Sequence, residues 1–226
     1  MKAAIWYGGK DIRVEDVPKP EIRSDEVLVE VKAVGICGSE LHAYEGVSKR
    51  RKSPLVMGHE FSGVIAEVGD KVEGFKKGDR VVVDPLSRCG VCEQCTVGRG
   101  NVCRNVKLLG LHVSGAFAEY ALAPARNCYK LPDHVSFEEG SVVEPLSVGV
   151  HAVNRTPIKL GDTVLVVGAG VIGLMALQAA KAAGAGSIFV TDVVDYGLRF
   201  AERLGADVAI KRGGRTLLRE SMNLQG

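Results

Sequence analysis

At 226 residues, with 46% hydrophobic and 25% charged side chains, the chain has the makeup of a soluble globular protein of one or two domains. A net charge of +2 argues against a nucleic-acid or membrane partner held by bulk electrostatics. Glycine, at 28 residues, implies many turns or close backbone approaches.

The start, Met1 to Tyr7, turns polar too soon for a signal peptide. The first part then predicts short strands separated by turns. Val27, Val29 and Val31 alternate with Leu28, Glu30 and Lys32. Gly63 to Gly69 is a short strand bounded by glycines, Arg80 to Val83 follows a Lys77-Gly78-Asp79 turn, and Ala116 to Ala121 is a further strand. Many short strands at turn spacing indicate a barrel-like or sandwich domain. Near residue 150 the pattern changes. Val164–Val167 reads as an apolar strand, Val171 to about Ala183 as a helix, and Ser187–Thr191 as a strand ending at Asp192. A second helix from about Tyr196 to Leu204 and a strand over Asp207–Ile210 complete a β-α-β-α-β order, the mark of a parallel doubly wound sheet. The longest apolar run, Val164–Leu177, is 14 residues with three glycines, which suits a buried strand and helix and not a membrane span.

Three groups of residues carry chemistry. Gly168-Ala169-Gly170-Val171-Ile172-Gly173 matches G-x-G-x-x-G, follows a strand, opens a helix and precedes Asp192 by 19 residues. Gly168 makes the tight turn, Gly170 admits a pyrophosphate, and Gly173 lets the helix pack on the strand. Val171 and Ile172 lie in the same turn. Asp192 would accept hydrogen bonds from the adenosine ribose and repel a 2′-phosphate, favouring NAD over NADP. Cys89, Cys92, Cys95 and Cys103 place four thiols within 15 residues. Four thiolates close a tetrahedral zinc shell with no open position, so the role is structural. A ferredoxin cluster would space its last two cysteines by three residues and follow them with proline; here the gap is seven and Arg104 follows. Six cysteines with no secretion signal point to a reducing compartment, the cytoplasm, and to metal binding ahead of disulfides.

The third group is scattered: Cys37 in Gly-Ile-Cys-Gly-Ser-Glu-Leu-His, His59 and Glu60 in Gly-His-Glu, and Glu144 in Glu-Pro-Leu. A thiolate, an imidazole and a carboxylate with a water make a plausible open zinc site. By spacing alone a lone cysteine or histidine is more often a core residue.

Over roughly residues 1 to 210 the chain resembles the zinc-containing medium-chain alcohol and polyol dehydrogenases, in the sorbitol, threonine and butanediol branch. The resemblance rests on Cys37-Gly38-Ser39, Gly58-His59-Glu60, the four-cysteine lobe, Glu144 to Gly149 and the glycine fingerprint, all in family order. It implies a GroES-like β-barrel domain over 1–153, then a partial, first-half Rossmann parallel sheet over 154–226, with the active site between them. It implies that Cys37 and His59 bind a catalytic zinc, completed by Glu60 or Glu144 and a water. Ser39 would hydrogen-bond the substrate hydroxyl and His42 would carry its proton outward. The activity implied is NAD-linked oxidation of a secondary alcohol, diol or polyol, with one catalytic and one structural zinc.

Two departures from the family pattern stand out. The basic residue usual five positions after the ribose-binding acid is replaced by Gly197, with Arg199 two further on. The tail after Ile210 carries no family-like motif, so the chain reads as C-terminally truncated. The adenosine and pyrophosphate sites belong to the half that is present, and the nicotinamide pocket draws on the other. A remnant that holds zinc, and the ADP part of a cofactor, without turnover is the competing reading. An apolar strand edge at Val164–Val167 predicts self-association into a homo-oligomer. A zinc-lobe module for nucleic acid lacks a basic recognition segment. Cys128 reads as a buried strand residue, His112, His134 and His151 as structural, and Lys49–Lys52 as a solvated loop.

Overall fold

The structure is a computed structural model that describes residues 1–48 and 50–212. The tail without family motifs, from Gly213 on, and Lys49 of the basic run lie outside the described residues. The chain divides into two units, Met1–Glu144 and Pro145 onward.

In chain order the first unit runs β1 (Lys2–Gly8), β2 (Asp11–Asp16), β3 (Glu26–Gly35), α1 (Gly38–Tyr44), β4 (Leu55–Val56), β5 (Glu60–Val68), β6 (Arg80–Val83) and β7 (Leu86–Ser87). It continues with α2 (Glu93–Thr96), β8 (Lys107–Leu108), β9 (Tyr120–Pro124), β10 (Cys128–Lys130) and α3 (Phe137–Ser141). The helix α4 (Val143–Asn154) follows, and the division between units falls within its first turn. The central sheet has the order β10-β6-β5-β3-β9, all antiparallel. A smaller sheet, β2-β1-β4, is bridged at Ala3 to Ala118, two residues before β9.

Alternation decides which side chains enter the core, because successive residues of a strand point to opposite faces. Val27 and Val29 of β3 pack with Phe61 and Ile65 of β5, Val81 and Val83 of β6, and Ala121 and Ala123 of β9. Leu28 lies on the opposite face and is equally buried. That face is covered too: α3 packs across β3 and β5, and Ser62 donates from its hydroxyl to the Phe137 carbonyl. Cys128 is buried on β10, as expected, and burial pushes its thiol up to about 12. The strand expected from Ala116 begins only at Tyr120. Ala116 and Phe117 instead donate to the Gly58 and Met57 carbonyls, which ties this segment to the loop bearing His59.

The second unit is β11 (Thr163–Val167), α5 (Val171–Ala182), β12 (Ser187–Asp192), α6 (Asp195–Arg203) and β13 (Val208–Lys211). Its strands pair in parallel in the order β11-β12-β13. Leu177 and Ala180 of α5 and Leu198 and Ala201 of α6 pack on Ile188 and Val190 of β12. The other face of β11 carries Leu165 and Val167, 53% and 71% exposed, and β11 is an edge strand.

Candidate metal centres and nucleotide site

Cys89, Cys92, Cys95 and Cys103 converge on one point. Their sulfurs are 3.5 Å (92–95), 3.5 Å (89–103), 3.8 Å (92–103) and 4.0 Å (89–95) apart. A tetrahedron with zinc–sulfur bonds of about 2.3 Å has sulfur–sulfur edges of about 3.8 Å. The spacing therefore fits one ion at the centre and is far too long for a disulfide. The thiols are not equivalent. Backbone N–H groups of Arg104 and Cys95 pull Cys92 down to about 6, whereas desolvation and the neighbouring sulfurs push Cys95 up to about 12. Four thiolates this close repel one another, and a cation is what allows all four to ionise.

The second cluster is assembled from three segments of the first unit. Cys37 is the N-cap of α1, and Glu40, three residues on, closes a capping box by accepting from the Cys37 N–H at 2.9 Å. His59 and Glu60 stand at the start of β5, and Glu144 in the first turn of α4. Ligand atoms of Cys37, Glu40 and His59, and of His59, Glu60 and Glu144, lie within 4.8 Å of one another, with His59 common to both sets. Gly35 is part of this design, since a Cβ there would collide with the Glu60 carboxylate.

Glu40 is the residue that sequence reading missed. Its Oε1 accepts from His59 Nδ1 at 2.8 Å and from Arg51 Nη2 at 2.6 Å. With both oxygens occupied, Glu40 orients the histidine through Nδ1, the arrangement common behind metal-bound histidines. The capping-box spacing from Cys37 was the signal in the sequence. Arg51 corrects an expectation: it is not part of a solvated loop but only 6% exposed, while Arg50 and Lys52 are exposed. The reason is that its guanidinium finds four acceptors inside the fold.

In this pocket His59 is made more basic and Cys37 more acidic. Burial opposes a charge on His59, but hydrogen bonds to Cys37 and Glu40 outweigh it and raise its pKa to about 10. The hydrogen bond to His59 in turn pulls the Cys37 thiol down. Burial pushes the Glu60 and Glu144 carboxyls up. A soft thiolate, a nitrogen and carboxylate oxygens form a donor set that suits zinc. Ser39 Oγ, close by, accepts from Arg51 Nη2 at 3.1 Å. His42 lies one helical turn further along α1, exposed. His112, His134 and His151 join no such cluster among the described residues.

In the second unit, Gly168 ends β11 with φ +101°, a conformation that side chains resist, and a Cβ on Gly173 would collide with the Gly168 carbonyl. A Cβ on Gly170 would meet nothing within 4 Å. Gly170 is the N-cap of α5 and makes no side-chain cap, so the N–H groups at the head of the helix, beside the exposed Val171 and Ile172, are open to an anion. Asp192 ends β12; its Oδ2 accepts from the Ala169 N–H at 2.6 Å and its Oδ1 from Val193 and Val194 at 2.6 and 2.9 Å. These bonds hold its carboxyl below the usual range. Gly197 also has a reason: a Cβ there would strike the Ala169 carbonyl.

A closed four-thiolate cluster, an open thiolate–imidazole–carboxylate cluster and a glycine-turn sheet together define a metal-binding, nucleotide-binding class of protein. Residues 23–133 match the alcohol dehydrogenase GroES-like domain family and 171–224 the zinc-binding dehydrogenase family. The chain belongs to the zinc-binding, medium-chain alcohol dehydrogenases. It is 45% identical over 210 residues to the sorbitol dehydrogenase of Bacillus subtilis (strain 168), covering 91% of this chain and 60% of that protein. A structure described as a short chain alcohol dehydrogenase from Escherichia coli CFT073, complexed with NADH, matches with a TM-score of 0.93 and 39% identity, covering 100% of this chain and 66% of that one. A zinc-binding dehydrogenase from Sinorhizobium meliloti 1021 bound to NADP matches with a TM-score of 0.88 and 38% identity, covering 93% and 61%. The chain spans about 60% of the length of the curated relatives it matches.

Proposed function

We propose that the chain carries the catalytic and cofactor-anchoring parts of a zinc-dependent dehydrogenase that oxidises a secondary alcohol, diol or polyol to the carbonyl. The observation that carries this reading is the convergence of Cys37, His59, Glu60 and Glu144 within the first unit. Cys37 and His59 would hold the catalytic zinc, with Glu60 or Glu144 completing the shell, and the four-cysteine lobe would hold a structural one. Zinc would supply Lewis acidity, lowering the pKa of a substrate hydroxyl. Ser39 Oγ would then receive the hydroxyl proton, and the exposed imidazole of His42 would pass it to solvent. Hydride acceptance belongs to the nicotinamide cofactor.

Gly168, Gly170, Val171, Ile172 and Gly173 would cradle the pyrophosphate and Asp192 the adenosine ribose. Solved relatives hold NADH in one case and NADP in another. Asp192 supports NAD here, because a carboxylate at that place repels a 2′-phosphate. A polyol substrate is supported by the likeness to a sorbitol dehydrogenase. A reducing cytoplasm suits six free thiols. Among the described residues no helix is long and apolar enough to cross a membrane.

The test is NADH formation by zinc-replete protein over a panel of secondary alcohols, diols and polyols, with Cys37→Ala as control. Turnover that disappears in the variant supports the reading. Two bound zincs per chain without turnover would instead leave a zinc- and nucleotide-binding protein that does not catalyse.

A further inference from the structure

The Arg51 guanidinium has no part in the reading above, yet it is among the most enclosed charges in the first unit. Its side chain is 2% exposed and that of its ion-pair partner Glu40 is 3%. It donates from Nε to the Gly110 carbonyl (2.8 Å), from Nη1 to the Ser39 carbonyl (2.7 Å), and from Nη2 to both Ser39 Oγ (3.1 Å) and Glu40 Oε1 (2.6 Å). Burying a charge is costly unless it is paired and fully hydrogen-bonded. Here every bond but one goes to the backbone or side chains of the two residues that flank the open cluster.

We propose that Arg51 is a positioning residue for the open metal site, acting on His59 through Glu40 and directly on Ser39. Glu40 Oε1 accepts from Arg51 and from His59 Nδ1, and Oε2 accepts from the Cys37 N–H. One carboxylate thus ties the arginine to the ring of His59 and the backbone of Cys37. Held from behind by Arg51, Glu40 fixes the proton on Nδ1 and the ring's orientation, which leaves Nε2 as the ligand atom. The bond into Ser39 Oγ fills one of the two acceptor positions of that hydroxyl and sets its rotamer, leaving its hydrogen and one lone pair for proton transfer. A planar fork reaches these acceptors together; a lysine ammonium, a point charge on a flexible stem, does not.

This inference rests on Cys37 and His59 being metal ligands, and the experiment separates the two ideas. The full chain is loaded with Co2+ or Zn2+, and affinity is measured by chelator competition for wild type, Cys37→Ser, Arg51→Met and Arg51→Lys. Loss of one metal in Cys37→Ser identifies the open site, and the metal of the four-cysteine lobe reports that each variant is folded. Arg51→Met is expected to keep the lobe metal, to bind the other about 10- to 100-fold more weakly, and to show altered cobalt absorption at that site. Arg51→Lys is expected to fall between, because it keeps the charge and loses the fork. Wild-type affinity and spectrum in Arg51→Lys overturn the proposal, and this comparison decides even if Arg51→Met does not fold. A wild type that binds one metal, unchanged by Cys37→Ser, overturns the metal-site reading and the proposal with it.

Discussion

Removing metal from the four-cysteine lobe should unfold that lobe and little else. The segment from Cys89 to Cys103 contains only the four-residue α2 and a three-residue turn of 3-10 helix. It places only Cys103 in the core, while Val91, Val97 and Val102 are 82%, 64% and 55% exposed. Ordering the backbone of a residue costs about 1–2 kcal/mol, so these residues together cost on the order of 15–30 kcal/mol. Exposed valines contribute almost nothing against that. Structural zinc in small peptides contributes roughly 10–16 kcal/mol, the same order as that cost. Chelation at neutral pH, followed by hydrogen exchange and mass spectrometry, should show loss of protection over residues 89–103 while peptides from β3, β5 and β6 stay protected. Acid adds a sign. Ligands must be thiolates, so protonation competes with metal as pH falls, and retention should weaken in acid. Full protection of the lobe in metal-free protein would refute the reasoning, for then side-chain packing and not the ion holds it.

Two further outcomes concern the second unit. The folded-state pKa of Asp192 is depressed by the N–H groups of Ala169 and Val194, so its contribution to stability is present above about pH 4 and is lost as pH falls through the folded value. Asp192→Asn should therefore be less stable than wild type at pH 7 and converge on it in acid, by urea unfolding at several pH values; a gap independent of pH would show that the charge is not the cause. The β11 edge with Leu165 and Val167 exposed should promote self-association, seen as concentration-dependent sedimentation and reduced by Val167→Lys. A monomer over a wide concentration range counts against it.

Much of this protein is legible in its sequence because the relevant signals are local. The Cys89–Cys103 spacing is short enough that few backbone paths avoid bringing the sulfurs together. The Gly168–Gly173 turn dictates its own geometry through positions where a side chain cannot stand, and the apolar runs around it have the periods of strand and helix. The order β11-α5-β12-α6-β13 follows from those runs. The first unit is less local. The β1–β2 hairpin turns through Gly8-Gly9, both at positive φ, a local signal, but Leu28 is buried on a face that alternation alone assigns to solvent.

What the sequence by itself determined, then, were the groups whose chemistry is written in spacing: four thiols in one loop, a phosphate-binding turn, an acid at a strand end. What only the tertiary structure decided was how Cys37, His59 and Glu144, far apart in the chain, reach one pocket, and that Arg51, in a basic run, turns inward. Spacing cannot reveal this, because the burial of a charge depends on acceptors that come from elsewhere in the fold: the Gly110 carbonyl, the Ser39 hydroxyl and the Glu40 carboxylate, which meet only when the strands have paired.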